Sequence, residues 1–505
     1  MNKSCVSVTV FAAVLAAQAA TVSDIVVRQQ WPWSREVKID YTLSDVTGPT
    51  DVKVAFYNGA EKLTSANLHN LLKGERFGIT ANGWRTLRLD PVAAFGKSAG
   101  SFANFRVELE TFDSPANSSE VLYRIYDLKG VKTYSGSAPT EVTRTDILNG
   151  KYGDYETDFS RIGSGFNTTL KDVLIWTGVT NGWTYKTDKL VMRKIPAAGV
   201  DWTIGSPTDE KGRDYSDGKA RETQRPVKLT EDYFISVFEI TQAQLTNMYN
   251  SAPAVFKDKP DSPVRPFIGF SYNDVRGQIG WGDISASDGQ KINWPTNVPQ
   301  HAVFPNRLAG YMRTYLRKDK NAPKTMFDLP TEAQWEFACR AGTTNALNSG
   351  KEILHTNASV CRNTDEVAWN DYSTYPDNEH QVMPVGMKKP NAFGLYDMHG
   401  NAEEVCLDCY SEDISNFYDL DPETRAYKNF IHEGTLIDPV GPSSLIFTDP
   451  GKPTRTRRGG CIGHGQRYQR SAYRINYWGQ EGRSDANSRM DGLRLVCPAA
   501  ADWSK

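Results

Sequence analysis

The sequence predicts two architectures in one chain: a small antiparallel β-sandwich over residues 20–112 and a loop-rich α+β domain over residues 190–500, with residues 113–189 as a linker carrying added strands. Three observations predict this. Residues 22–112 place apolar side chains at every second position in short runs, the period of a half-buried strand. From about residue 190, Trp, Gly, Asn and Asp become frequent and long helices become rare. The few helices that remain carry clear start and stop signals. A chain of 505 residues has room for more than one hydrophobic core.

Residues 1–19 read as a secretory signal: Lys3 supplies a positive start, residues 8–16 a short apolar run, and Ala17-Gln18-Ala19 an A-x-A cleavage site. The mature chain is therefore expected to begin near Ala20 and to be secreted or periplasmic. The apolar run is too short to span a bilayer comfortably, and no later stretch approaches a span, so no stable membrane insertion is expected.

The sandwich strands are read from Val37, Ile39, Tyr41 and Leu43, then Val52, Val54 and Phe56, then Trp84, Leu87 and Leu89, then Phe105, Val107 and Leu109. Gly, Pro, Asn and Asp fill the breaks between them, which suits a fibronectin- or immunoglobulin-like module. In the linker, residues 122–126 are strand-like, and Asn117-Ser118-Ser119 and Asn167-Thr168-Thr169 match the glycosylation acceptor pattern.

Beyond residue 190 the helices announce themselves. Thr241 with Gln244 makes a capping box before Leu245, Met248 and Tyr249, and Thr331 with Gln334 makes another before Phe337, Ala338 and Ala341, stopped by Gly342. Leu308, Met312, Tyr315 and Leu316 place one apolar stripe on a third helix. A core built mostly from irregular segments is expected to need cross-links or ions to hold its loops.

A net charge of −2 offers no polyanion a reason to bind, so no nucleic-acid partner is expected. Of the seven cysteines, Cys5 leaves with the signal; Cys339, Cys361, Cys406, Cys409, Cys461 and Cys497 remain, an even set expected to form disulfides of open connectivity. Cys406-Leu407-Asp408-Cys409 has redox or zinc spacing but lacks a second C-x-x-C and a thioredoxin-like βαβ context. The seven histidines show no H-x-x-x-E-x-H spacing, and no G-x-S-x-G elbow marks a serine hydrolase.

Three phrases belong together in the C-terminal part: DLPTEAQWEFACRAG at 328–342, PVGMKKPNAFGLYDMHGNAEE at 384–404, and RRGGCIGHGQRYQRSAYR at 457–474, with GLRLV closing at 492–496. With FISVFEITQAQL at 234–245, they resemble the formylglycine-generating enzyme, or sulfatase-modifying factor, domain over about residues 190–500. The resemblance implies a C-type-lectin-like fold. It also implies an oxidase that converts a sulfatase cysteine to formylglycine with O2 and copper(I) held by two thiolates, soft ligands suited to that ion.

The residues depart from that pattern where the copper would sit. Aligned backward from Arg474, the two thiolate positions fall on Cys461 and Gln466; aligned forward from Gly459, they fall on His464 and Gln469. Neither register supplies two thiolates, so copper is not expected, and Cys461 is the one candidate for a catalytic role. A Cys461/His464 pair three apart in a glycine-rich turn is a weak metal signal, set against a structural Cys461 bonded to another cysteine. The family's G-N-x-W-E-W phrase reads Gly400-Asn401-Ala402-Glu403-Glu404-Val405, so a tryptophan that walls the substrate groove has become Glu403. Glu403, His464, Tyr468 and Arg474 are the expected groove residues.

By the same resemblance a calcium ion would be held by Asp397, Gly400, Ala402 and Glu404, a set of hard oxygen donors; otherwise the two acids are a solvated pair on a turn. The expected function is a divergent binding protein whose groove takes a peptide or glycan, with the copper-dependent oxidase as the alternative. The sequence leaves the oligomeric state open.

Overall fold

Strand formation in the first part of the chain follows the period-two runs most closely at Val37, Ile39, Tyr41 and Leu43, all buried. The computed structural model describes residues 20–29, 34–65, 68–96, 104–133, 138–156, 174–213, 221–248, 261–270, 272–276, 308, 312, 327–356, 361–371, 381–412, 419–420, 427–428, 434–441, 455–476 and 490–499. The signal segment, the Asn167 acceptor site, Tyr249, Tyr315 and Leu316 lie outside the described residues.

Two compact units divide the chain: Met1–Val121 with Val142–Glu156 and Trp176–Gly178, and Leu122–Glu141 with Thr157–Ile175 and Val179–Lys505. In the first, strands Thr21–Gln29, Val37–Ser44 and Gly83–Leu89 form one antiparallel sheet, and Glu61–Leu63, Thr50–Asn58 and Phe105–Asp113 form another. Val37, Ile39, Tyr41, Leu43, Val52, Phe56, Leu87, Leu89 and Val107 share one buried cluster. Trp84 does not join it. Leu87 and Leu89 set the inward phase of their strand, Trp84 falls on the opposite phase opposite Thr42, and its side chain is 60% exposed. The helix Pro91–Phe95 starts where Asp90 accepts from the amides of Val92 and Ala93, with Pro at its first turn, and ends at Gly96 in the left-handed region.

The second unit is built on a five-stranded sheet in the order Val496–Pro498, Tyr233–Ser236, Lys189–Ile195, Val121–Asp127, Thr140–Thr143. Part of the stretch read as a linker thus belongs to this sheet, with Ile125 opposite Val191. A second sheet, in the order Arg474–Asn476, Arg455–Arg458, Glu403–Cys409, Asp491–Gly492, carries the site described below. The helix Glu332–Arg340 has the expected capping box, in which the Thr331 hydroxyl accepts from the Gln334 amide and the Gln334 side chain accepts from the Thr331 amide. Gln244 and Thr241 repeat the arrangement at Gln242–Met248. Leu308 and Met312 are both buried.

Every residue of Glu332–Arg340 is buried, charged ones included, and each charge is paired. Glu336 meets Arg340 at 2.8 Å and Arg458 at 2.7 Å, while Glu332 meets Arg458 at 2.8 Å and Arg474 at 2.6 Å. Arg470 is held the same way between Glu210 and Glu222. Removing one partner from such a pair strands a buried charge, so these contacts lock the loops they join.

The disulfides expected from the sequence are not formed among the described thiols. Cys339, Cys361, Cys406, Cys461 and Cys497 are buried free cysteines, and the Cys409 side chain lies outside the described residues. Two of them sit apart in the core: Cys339 Sγ is 3.8 Å from the Met398 carbonyl, and Cys497 Sγ is 3.8 Å from the Met192 sulfur. The buried arginine pairs supply the cross-linking that the irregular core was expected to need.

Candidate functional site

The segment that follows strand Arg455–Arg458 is shaped by glycine. Gly459 and Gly460 have φ values of +88° and +69°, and a Cβ on Gly460 would lie 2.4 Å from the Tyr468 carbonyl oxygen. Only glycine fits that position without strain. The chain then closes a tight turn in which the His464 amide donates to the Cys461 carbonyl at 2.9 Å. Gln469 Nε2 donates to the Cys461 carbonyl at 2.9 Å and the His464 carbonyl at 3.3 Å, and the Ile462 amide donates to the Asn401 carbonyl at 2.9 Å. Cys461 and His464 therefore stand at the two corners of a turn fixed from both sides.

Glu403 arrives from the neighbouring strand. It pairs with Asp491, and its amide donates to the Met490 carbonyl at 2.8 Å. Its carboxylate is 2% exposed at the residue level and forms an ion pair with Arg457, which also meets Asp491 at 2.6 Å. Glu403 Oε1 lies 3.0 Å from His464 Nδ1, close enough for an ion pair but off the line a hydrogen bond needs. One ligand atom each from Glu403, Cys461 and His464 lies within 4.8 Å of the others. Tyr468 packs its ring 4.9 Å from the His464 ring.

Burial drives the Glu403 carboxyl upward, but Arg457 and then His464 outweigh it and hold the group below the usual carboxylate range. Burial, and then the Glu403 charge, push the Cys461 thiol well above the ordinary value. A metal-free Cys461 is thus a protonated, poorly nucleophilic thiol.

Successive residues of a strand face opposite sides, and Glu404 belongs to a second locus. Its oxygens accept from Trp335 Nε1 and Arg494 Nε, each at 2.7 Å. Asp397, at φ +55°, accepts from the Gly386 amide at 2.6 Å through Oδ2, while its buried Oδ1 accepts no hydrogen bond. Glu239 clamps the loop between them, accepting from Ala402 N at 2.8 Å and Asn401 Nδ2 at 2.7 Å. Burial raises all three carboxyls, and the Asp397 and Glu404 charges raise Glu239 further. Three buried acids meet the fully buried Arg494 here, Lys186 and Lys388 also act on Asp397, and one carboxylate oxygen of Asp397 stays idle, a hard donor of the type calcium takes.

Among the residues expected to form a site, Glu403, Cys461, His464 and Tyr468 come together. Asp397, Glu404 and Ala402 meet around Glu239, whereas the Gly400 amide donates to the Gly459 carbonyl at 2.8 Å. Arg474 is not a groove residue: it is sealed in a two-pronged pair with Glu332, with Nε at 2.6 Å and Nη2 at 2.7 Å. Arg457, Asp491 and Glu239 were not singled out from sequence, although Arg457 and Glu239 both lie within phrases that carried the resemblance.

The "Sulfatase-modifying factor enzyme 1-like domain" family matches residues 200–498, more than half of the 505-residue chain. A curated protein named chaperone protein LppX, from Paenibacillus barcinonensis, is 24% identical over 222 residues, covering 40% of this chain and 70% of its own. Formylglycine-generating enzymes match over shorter spans: 36% over 86 residues in Thermomonospora curvata, covering 17% of this chain and 28% of that one, and 34% over 83 residues in Bos taurus, covering 16% and 22%. The chain thus spans under a third of the length of these enzymes. Among solved structures, Treponema denticola variable protein 1 aligns with a TM-score of 0.38 at 20% identity, covering 61% of this chain and 95% of that one.

Proposed function

Because the chain belongs to the sulfatase-modifying factor enzyme 1-like family, whose fold is C-type-lectin-like, we propose that it is an exported, divergent member that binds a peptide or glycan rather than oxidising sulfatase cysteines. One observation carries this reading. The turn that corresponds to the family's copper segment holds a single cysteine, and Gln469, one of the two glutamines at the other thiolate positions, spends its side chain bracing the backbone of Cys461 and His464. Gln466 is fully buried. An amide offers copper(I) no soft anionic ligand, so the linear two-thiolate arrangement has no counterpart here.

The name of the Paenibacillus relative supports a binding role over catalysis. The N-terminal unit reads as a fibronectin- or immunoglobulin-like spacer, and the mature chain as beginning near Ala20. Calcium, held by Asp397, Glu404 and the loop at Gly400 and Ala402, would stabilise the domain as a structural ion.

The test is a copper(I) titration of the reduced protein combined with an assay of C-x-P-x-R peptide oxidation. Weak copper binding and no formylglycine support the reading. Robust turnover that disappears in Cys461→Ser would restore the oxidase.

A further inference from the structure

We propose that Glu403, Cys461 and His464 form a binding site for a divalent cation of the zinc class, with a fourth position open to water or to a donor atom of a bound ligand. The inference rests on the reading that this turn does not hold copper(I) through two thiolates. Tetrahedral zinc with S, N and O ligands at its usual bond lengths places neighbouring donors about 3.3–3.8 Å apart. The three donor atoms here already lie within 4.8 Å of one another, and the Glu403–His464 pair is at 3.0 Å. His464, whose side chain is 32% exposed, is the ligand with most room to adjust.

The backbone is already that of a metal turn. Cys461 and His464 are three apart with the amide of the second on the carbonyl of the first, the spacing that lets two side chains converge on one ion. Gln469 and Asn401 fix that turn, and the pairing of Glu403 with Asp491 fixes the third ligand. Arg457 orients the Glu403 carboxylate by holding its other oxygen, the outer-shell support that ligating carboxylates need.

Charge points the same way. Glu403 and Asp491 together carry two negative charges against the one positive charge of Arg457. A Cys461 thiolate would add a third. A divalent cation brings that buried group to neutrality, and a coordinated thiol is deprotonated outright. The mixed sulfur, imidazole and carboxylate set favours zinc over calcium or magnesium, which take oxygen only, and over copper(I), which prefers sulfur alone. Cys461 and Glu403 are buried at 7% and 2% exposure, so His464 forms the rim, and the open position lies on its solvent side. A ligand carboxylate, hydroxyl or imidazole reaching that position would be held by the metal.

The test uses the full chain, reduced and stripped with chelator, then titrated with Zn2+ in competition with a chromophoric chelator and separately with Co2+. One ion per chain and a thiolate-to-cobalt charge-transfer band are expected. Cys461→Ser should abolish the band, and His464→Ala should weaken zinc by more than about 100-fold, beyond the usual cost of losing an outer-shell partner. Circular dichroism on His464→Ala, a partly exposed position, checks that the fold is kept. Absence of stoichiometric zinc, or zinc binding unchanged in both variants, overturns the site. Missing zinc without peptide oxidation sinks this inference alone, whereas Cys461-dependent oxidation sinks the binding-protein reading beneath it.

Discussion

Arg494 Nε donates to Glu404 Oε1 at 2.7 Å in a pair with essentially no solvent exposure. This contact changes how calcium must be tested. Glu404→Gln would leave Arg494 buried without the carboxylate it pairs with, and it would melt lower with or without a metal. Asp397 is the diagnostic position, because its Oδ1 accepts no hydrogen bond and its Oδ2 accepts only from the Gly386 amide. With calcium bound, chelator should lower the melting temperature of wild type, and Asp397→Asn should melt lower while becoming insensitive to chelator. Equal melting of wild type with and without chelator would remove calcium from this locus.

The arginine network makes a sharper stability prediction. Glu332 neutralises both Arg458 and Arg474 in a site none of the three shares with solvent. Glu332→Gln should therefore destabilise the second unit by about 3–5 kcal/mol. As a control, Asp201→Asn removes the exposed partner of Lys228, 2.9 Å away, and should change stability by less than about 1 kcal/mol. Urea denaturation of the two variants separates these outcomes; equal effects would mean that the buried network does not hold the loops.

Local rules made the helices and strands legible. The Thr331–Gln334 box spans four residues, and the Val37, Ile39, Tyr41, Leu43 run declares its inward face unaided. Trp84 lies in its strand as read, but on the outward phase against Leu87, which its hydrophobicity alone does not reveal. The site was only half legible. Cys461 and His464 are three apart and could be paired on paper, but their third neighbour, Glu403, reaches them only through the sheet. Glu239 meets Ala402 across 163 positions, a contact that no local pattern encodes. Nor could composition tell free thiols from disulfides, because even counts of cysteine suit both.

The thiols should be measurable as such. Burial pushes Cys339 and Cys497 up to about 12 and Cys406 well above its ordinary value, so none of these is a ready nucleophile in the folded chain. Alkylation of native protein should spare Cys339, Cys406 and Cys497, and alkylation after unfolding without reductant should label all five described cysteines. A peptide map showing any two of the five joined would contradict the packing described above.

Asp408 sets a pH dependence opposite to ordinary acid denaturation. Its carboxyl accepts from the amides of Glu332 at 2.7 Å and Gly441 at 2.5 Å. Burial, and then repulsion from the Glu332 carboxylate, nevertheless raise it from 3.8 to about 7. A group whose folded value is raised stabilises fully below its unfolded value, near pH 4, and loses that contribution as pH climbs to about 7. Within that window the folded state keeps a proton the unfolded state has released, and stability should fall by about 1.4 kcal/mol per pH unit on this account. Asp408→Asn cannot titrate. It retains one carbonyl acceptor for two amides, which adds an offset that does not change with pH. Urea denaturation of both proteins from pH 4.5 to 8 should show the variant gaining on wild type up to about pH 7 and then running parallel to it. A difference that stays level through the window would mean that Asp408 is ionised throughout and that its two amide donors outweigh its burial.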